Sequence, residues 1–379
     1  MIKIDNKTLC SGCRACEQAC PLNCIDVKTD EEGFLYPKAD MQKCINCGLC
    51  EKSCPILNKS NLNHPIRACG CINRNDMVRE NSSSGGIFYL LGEYVISQNG
   101  VVFGAKFDDN FAVVHDFAET VEKLREFQGS KYLQSDTKDT YKRAKEFLEQ
   151  NRLVLFTGTP CEISGLRAYL ENDYKNLICQ DIICHGSPSP KVWQKYVEFR
   201  EKNANSKVVS ASSRHKKYGW NAFSVRLKFQ NSNEYISDLK HDLYMRSFLN
   251  NITLRPSCYA CSFKGCERNA DITLADFWGV ENLYPNLFDD KGTSLVIVNS
   301  IKGENILNAI RDKIILEQVD FEKSISFNSA YSKSASKPDN RDFFMKEIFV
   351  NPFDKVVGKY CKIKLLAKIK RKIKSLIKQ

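Results

Sequence analysis

Cys10-Ser11-Gly12-Cys13-Arg14-Ala15-Cys16-Glu17-Gln18-Ala19-Cys20-Pro21 is the stretch on which the rest of the reading depends. Its spacing returns at Cys44, Cys47, Cys50, Cys54 and Pro55, with 23 residues between Cys20 and Cys44. Three thiolates two residues apart in a tight turn grip three corners of an iron–sulfur cube. The fourth, set off by three residues and stopped by proline, reaches the other cube. The spacing assigns Cys10, Cys13, Cys16 and Cys54 to one 4Fe-4S cluster, and Cys44, Cys47, Cys50 and Cys20 to a second. Zinc would need closed sets of four. Disulfides would need an oxidising compartment, of which the sequence gives no sign. The expected chemistry is transfer of electrons one at a time.

Over its whole length this stretch resembles bacterial-type two-cluster ferredoxins, which implies a small α+β module. We place that module at residues 1–57. Residues 57–64, polar and Asn-rich before Pro65, read as a linker. Cys24 matches no ligand position and reads as a buried thiol. The chain has 379 residues, which leaves room for one large domain beyond the module. No apolar run approaches the roughly 18 residues needed to span a bilayer. The start, Met1-Ile2-Lys3-Ile4-Asp5, lacks the order of a signal peptide. With 18 cysteines and no such leader, a reducing, cytoplasmic setting is expected.

The net charge of +11 is concentrated at one end, because ten Lys or Arg residues lie between Lys355 and Lys378. The first 354 residues carry 46 basic against 45 acidic side chains, so bulk charge gives no argument for nucleic acid. Within residues 355–379, Val356, Tyr360, Ile363, Leu366, Ile369, Ile373 and Leu376 recur at three- and four-residue steps among lysines. This predicts a basic amphipathic helix. It suits either peripheral contact with an anionic membrane surface or packing on its own domain.

Residues 68–72 alternate as a strand in which Cys69 and Cys71 read as small buried residues. Ser82, Ser83, Ser84, Gly85 and Gly86 precede an apolar helix over 87–96. Capping serines and close-approach glycines there suit an anionic ligand. Gly129, Ser130, Lys131 and Tyr132 form a second polar turn. Apolar strands at 153–156 and 177–184 alternate with helices, which predicts an α/β domain at 65–350 with a mostly parallel or mixed sheet. Its ligands are expected beyond the C-terminal strand ends, where Gly158, Thr159, Cys161, Cys184 and His185 fall. The loop at 214–217, Arg-His-Lys-Lys, reads as a solvated turn or as a means of capturing an acidic substrate. Cys258-x-x-Cys261, with Cys266 nearby, offers two or three metal ligands and needs a partner from elsewhere; a small zinc site is the alternative use.

From about residue 65 to 349 these motifs, with the sequence from Asp271-Ile272 to Asp276-Phe277-Trp278-Gly279, are similar to the beta subunits of coenzyme F-420-reducing hydrogenases and dehydrogenases. That resemblance implies bound FAD, a third 4Fe-4S cluster, and electron exchange with a soluble carrier or small-molecule redox substrate. By the same resemblance Ser83, Ser84, Gly85, Gly86, Gly129, Ser130, Lys131, Tyr132, Gly158 and Thr159 would line the flavin site. Cys161, Cys184, Cys258 and Cys261 would hold the third cluster, with Cys266 competing for the fourth place. A flavin bridges one- and two-electron chemistry and belongs between clusters and substrate. His185 is the expected proton donor, since its ordinary pKa lies near operating pH; hydrogen bonding to a sheet carbonyl is its alternative role. Two functional classes stay open. One is a flavin-dependent iron–sulfur reductase or dehydrogenase. The other is an electron-relay subunit working on a partner redox protein of hydrogenase or formate dehydrogenase type.

Overall fold

The structure, a computed structural model, describes residues 2–4, 6–58 and 62–362. In the N-terminal module β1 (Ile25–Thr29) and β2 (Leu35–Ala39) form an antiparallel hairpin between the two cysteine runs. Its buried core is Ile2 and Ile25 with Cys20, Cys24 and Cys50, and further cysteines pack on it. So few apolar side chains cannot hold a fold of this size, and bonds from the cysteines to metal must make up the difference.

The larger part is built on an eight-stranded sheet. Its strands are β3 (Arg67–Asn73), β4 (Val101–Phe107), β5 (Val113–Ala118), β6 (Val154–Thr157) and β7 (Leu177–Ile182). A separate antiparallel sheet follows in the chain: β8 (Val208–His215), β9 (Ser224–Phe229) and β10 (Glu234–Asp238). β11 (Ile272–Asp276), β12 (Ser294–Val298) and β13 (Ile314–Val319) complete the large sheet, in the order β13-β3-β12-β11-β7-β6-β4-β5. β4, β6, β7 and β11 run parallel, while β5, β12, β3 and β13 pair antiparallel to their neighbours. The sheet is therefore mixed. All four parallel strands end at one edge.

Side-chain alternation along the strands separates two cores. Val102, Leu155 and Ile178 face α1 (Ile87–Ser97) and the helix Ile301–Ala309. Val101, Phe103, Val154, Phe156, Leu177 and Cys179 face α2 (Thr140–Glu149) and α3 (Pro160–Leu170). Pro160, whose missing N–H costs nothing in a first turn, starts α3 directly at the end of β6. Cys69 and Cys71 are buried in β3, and Arg67 Nη1 donates to Cys69 Sγ at 3.1 Å.

The module leans on the domain through polar contacts. Thr137 Oγ1 donates to Cys13 O at 3.0 Å, and Tyr141 N–H donates to Gln18 Oε1 at 2.9 Å. Arg14 pairs with Asp136, and the Arg341 guanidinium grips the Glu32 carboxylate at 2.6 and 2.9 Å. The stretch read as a linker is pinned at Asn63, whose backbone exchanges both hydrogen bonds with Arg268. The helix Phe353–Tyr360 buries Phe353, Val356 and Val357 beside α4 (Pro190–Ala204), Met245 and Phe248. The first residues of the predicted tail therefore belong to the domain core, because their apolar side chains close that cluster. Residues 363–379 of the tail lie outside the described residues.

Arg341 is almost fully buried against Glu32, so Arg341→Met leaves a carboxylate unpaired at the module boundary. Amide exchange across residues 30–36 should then accelerate at least tenfold. Unchanged protection in that hairpin would mean the ion pair does not hold the module in place.

Candidate functional site

The two cysteine runs enclose two hollows. One is lined by Cys10, Cys13, Cys16 and Cys54, with Leu35 and Pro37 of the hairpin beside them. The other is lined by Cys20, Cys44, Cys47 and Cys50. Each hollow takes three thiols from one run and the fourth from the other. We refer to them as the inner and outer hollows, since Cys13 packs against α3 whereas Cys47 is exposed. Backbone N–H groups of Ile2, Cys24 and Asn46 donate to the sulfurs of Cys50, Cys20 and Cys44 at 3.2, 3.4 and 3.4 Å. Such donors stabilise ligating thiolates. Burial pushes the Cys13 thiol up to about 12 and raises Cys16 and Cys54 as well. Three thiols from one run with a fourth from the other is the arrangement that a pair of cubes requires. The donor sets thus fit two cubes. Cys24 is buried, and its sulfur lies 3.2 Å from that of Cys20 on the wall of the outer hollow.

A third set of thiols converges where α3 begins. Cys161 sits in the first turn of α3, Cys184 lies two residues past β7, and Cys258 and Cys261 belong to the short turn Pro256–Ala260 and its exit. Burial raises the Cys161 thiol most, and Glu162, Cys184 and Cys261 add repulsion against its charged form. Burial pushes Cys184 up to about 12, with Cys258 next in effect, and burial likewise raises Cys258. Cys161 thus feels the charges of Cys184 and Cys261, and Cys184 those of Cys258 and Cys261. Ser187 N–H donates to Cys258 Sγ at 3.3 Å, and Thr159 Oγ1 lies 3.1 Å from Cys161 Sγ. Cys266 stands apart, exposed and beside Tyr331, because its five-residue offset carries it beyond the turn.

A cavity of about 670 Å³ opens at the C-terminal edge of the parallel strands. Ser83, Ser84 and Gly86 line it, as do Gly129, Ser130, Lys131, Tyr132, Gly158, Thr159, Cys184 and His185. The two glycine-led turns meet directly: Ser130 N–H donates to Ser83 Oγ at 2.7 Å, and the two hydroxyls are 2.9 Å apart. Gly86 has φ +80°, which directs the chain into α1 at a cost a side chain would raise. Gly85 does not line the cavity. A Cβ there would meet Cys71 O at 2.5 Å and Ser294 N at 2.8 Å, so this glycine serves close packing on the sheet. Lys131 donates to Glu126 O and Gln128 O at 2.9 and 3.0 Å, and burial lowers its ammonium below the usual lysine range. His185 Nε2 bonds Asn251 Oδ1 at 2.6 Å, a side-chain amide and not a sheet carbonyl, and burial lowers its imidazole.

Several lining residues escaped the sequence reading. The His115 ring is fixed between Ser135 Oγ at 2.7 Å and Thr157 O at 3.0 Å. Gln180 is buried on the cavity wall with its Oε1 unpartnered. Arg214, read as part of a solvated or substrate-capturing turn, is buried instead. It donates to Asp276 Oδ1 at 2.7 Å and Ser83 O at 3.0 Å, stacks 3.8 Å from the Phe223 ring, and keeps Nε unpartnered. Lys216 is buried too, and clamps Arg79 O, Ser84 O and Lys291 O. Asp276 therefore anchors an arginine in the wall. Asp271 accepts Cys179 N–H, Arg167 and Ser300 within the sheet.

Residues 151–324 match the family described as the C terminus of the coenzyme F420 hydrogenase/dehydrogenase beta subunit. Residues 9–57 match the 4Fe-4S dicluster domain. No curated protein matches the sequence. Among solved structures, the chain is similar to one of the F420-reducing [NiFe] hydrogenase complex from Methanosarcina barkeri. The identity is 18%, the TM-score is 0.46, and the alignment covers 79% of this chain and 90% of that one.

Gly165, on α3 one turn after Cys161, packs on Cys13 of the inner hollow, and a Cβ there would stand 2.9 Å from Cys13 Sγ. Gly165→Val should therefore displace Cys13 and remove one cube's iron, about four atoms per chain. Metal analysis after anaerobic reconstitution reads this directly, and full iron retention would mean that the module slides outward to make room.

Proposed function

We propose, from the match of residues 9–57 to the 4Fe-4S dicluster domain and of residues 151–324 to the C terminus of the coenzyme F420 hydrogenase/dehydrogenase beta subunit, that the chain is an iron–sulfur flavoprotein oxidoreductase. Electrons would pass singly from the two cubes of the module to a third cluster held by Cys161, Cys184, Cys258 and Cys261, and then to FAD in the cavity. The acceptor or donor beyond is a soluble carrier or small-molecule redox substrate. One observation carries the reading: Cys184 belongs to the third thiol set and to the cavity wall together, while α3 joins that set to the inner hollow through Gly165.

The cavity's residues fit a flavin. Gln180 Oε1 and Arg214 Nε are a buried acceptor and donor with no partner among the described residues, as a ligand bearing both kinds of group would require. The two serine–glycine turns on the cavity wall, with Gly86 at the start of α1, suit phosphate. When bound, FAD supplies exchange between single electrons and hydride-level pairs. The protein's part is to orient it between Tyr132, Phe223 and Phe248, to exclude water, and to hold His185 in the tautomer that Asn251 selects. His185 is proposed as the proton donor at this wall, acting from its doubly protonated form.

The relay reading draws on the outer hollow, which is flanked by exposed Leu22 and Ile45 and the exposed Cys47. That is a surface on which a partner redox protein can deliver electrons. For the segment beyond residue 362, its lysines and isoleucines support contact with an anionic membrane surface. Removing residues 363–379 should abolish binding to anionic vesicles with cofactor content unchanged; equal binding would remove the idea.

Reconstituted protein should hold about 12 iron atoms per chain, and the Cys258→Ala, Cys261→Ala protein about 8. Wild-type iron content in that double variant would exclude the third cluster, and loss of zinc in place of iron would make the site structural. Gln180→Met should weaken FAD binding roughly tenfold, the worth of about one buried hydrogen bond. Unaltered affinity would move the flavin elsewhere. Reduction of a diffusible acceptor by the chain alone separates the oxidoreductase from the relay: turnover only with an added protein partner would favour the latter.

A further inference from the structure

Arg255 is 1% exposed, and no carboxylate pairs with it among the described residues. The other buried arginines all have one: Arg79 with Asp289, Arg214 with Asp276, Arg268 with Asp181, and Arg341 with Glu32. The Arg255 guanidinium instead donates to neutral groups, Cys10 O at 2.7 Å, Gln134 Oε1 at 2.8 Å and Leu35 O at 2.9 Å. Nη2 also points at Cys10 Sγ, 3.5 Å away, and the Tyr36 ring covers the group at 4.2 Å. A dry, always-charged cation without a counter-ion is costly. The one group in contact with it that turns anionic on binding metal is the Cys10 thiolate.

The backbone of the same residue looks the other way. Cys258 N–H donates to Arg255 O at 2.9 Å, and Arg255 N–H donates to Ser187 O at 2.9 Å. Arg255 therefore touches a ligand of the inner hollow with its side chain and the third thiol set with its main chain. The outer hollow is lined by no cation among the described residues. Arg14 also lines the inner hollow, but Glu17 and Asp136 neutralise it.

Building on the assignment of Cys10, Cys13, Cys16 and Cys54 to one cube, we propose that Arg255 is a positioning residue for electron transfer. Its guanidinium is the counter-charge of the inner cluster, holds that cluster's potential above the outer one's, and links it to Cys258. Reduction adds one electron to the cube, with no bond or proton exchanged, so the cube becomes one unit more negative. A fixed cation in a dry contact favours that reduced form. An electron arriving at the exposed outer cluster then moves inward downhill.

The test is an EPR-monitored redox titration of the anaerobic holoprotein, using dithionite and mediator dyes, with iron counted in each sample. Arg255→Met should keep its iron, shift the inner cluster's midpoint to lower potential, and leave the outer cluster's unmoved. Arg255→Lys should keep most of the wild-type value. Unmoved potentials with full iron in Arg255→Met overturn the proposal. If Arg255→Met loses one cube's iron, recovery of that iron in Arg255→Lys supports the need for charge. Loss in both variants means that the side chain only fills space, and overturns it. A wild-type module that itself holds a single cube would remove the ligand assignment, and this proposal with it. That outcome is distinct from full iron with unmoved potentials.

Discussion

Each cysteine run must give its fourth thiol to the other run's hollow, and the rest of the structure depends on that exchange. Local folding of either run leaves both hollows one thiol short, so the module closes only as a unit around the β1–β2 hairpin. A unit with so small an apolar core needs support from outside, and it finds it in polar contacts to residues 134–141, 189, 255 and 341. Those contacts bring Cys13 onto α3, the helix whose first turn carries Cys161. The register of a metal-binding loop thus decides which face of the domain receives it.

The parts legible in the sequence are those set by short-range geometry. Cysteine spacing encodes ligand direction within a few residues. The apolar runs of β4, β6 and β7, and the glycine-led turns, punctuate the α/β units for equally local reasons. The antiparallel half of the sheet was harder to read, because a strand covered on both faces has the same apolar composition whichever way its neighbour runs. Gln180, His115 and Arg255 carry no local signal at all. Their surroundings are assembled from segments up to 245 residues apart, as the contact from Arg255 to Cys10 shows.

The buried basic loop at Arg214 and the packed start of the C-terminal tail share one cause. Both are rich in charge, and charge usually means water. Here Lys216 spends its charge on three backbone carbonyls and Arg214 on Asp276, while the helix Phe353–Tyr360 turns its apolar side into a cluster with α4. Long cationic side chains can be buried when carbonyl oxygens surround their ends. A hydrophobicity pattern has no means of registering those oxygens.

β3 leaves the module at residue 67, yet its partners in the sheet are β12 and β13, more than 200 residues further along the chain. The consequence is one of timing. As the chain emerges from the ribosome, the cysteine runs are complete long before β3 has anything to pair with, and loop closure over such a span is slow. The sheet therefore stays open on that side of β3 until β12 and β13 have been made.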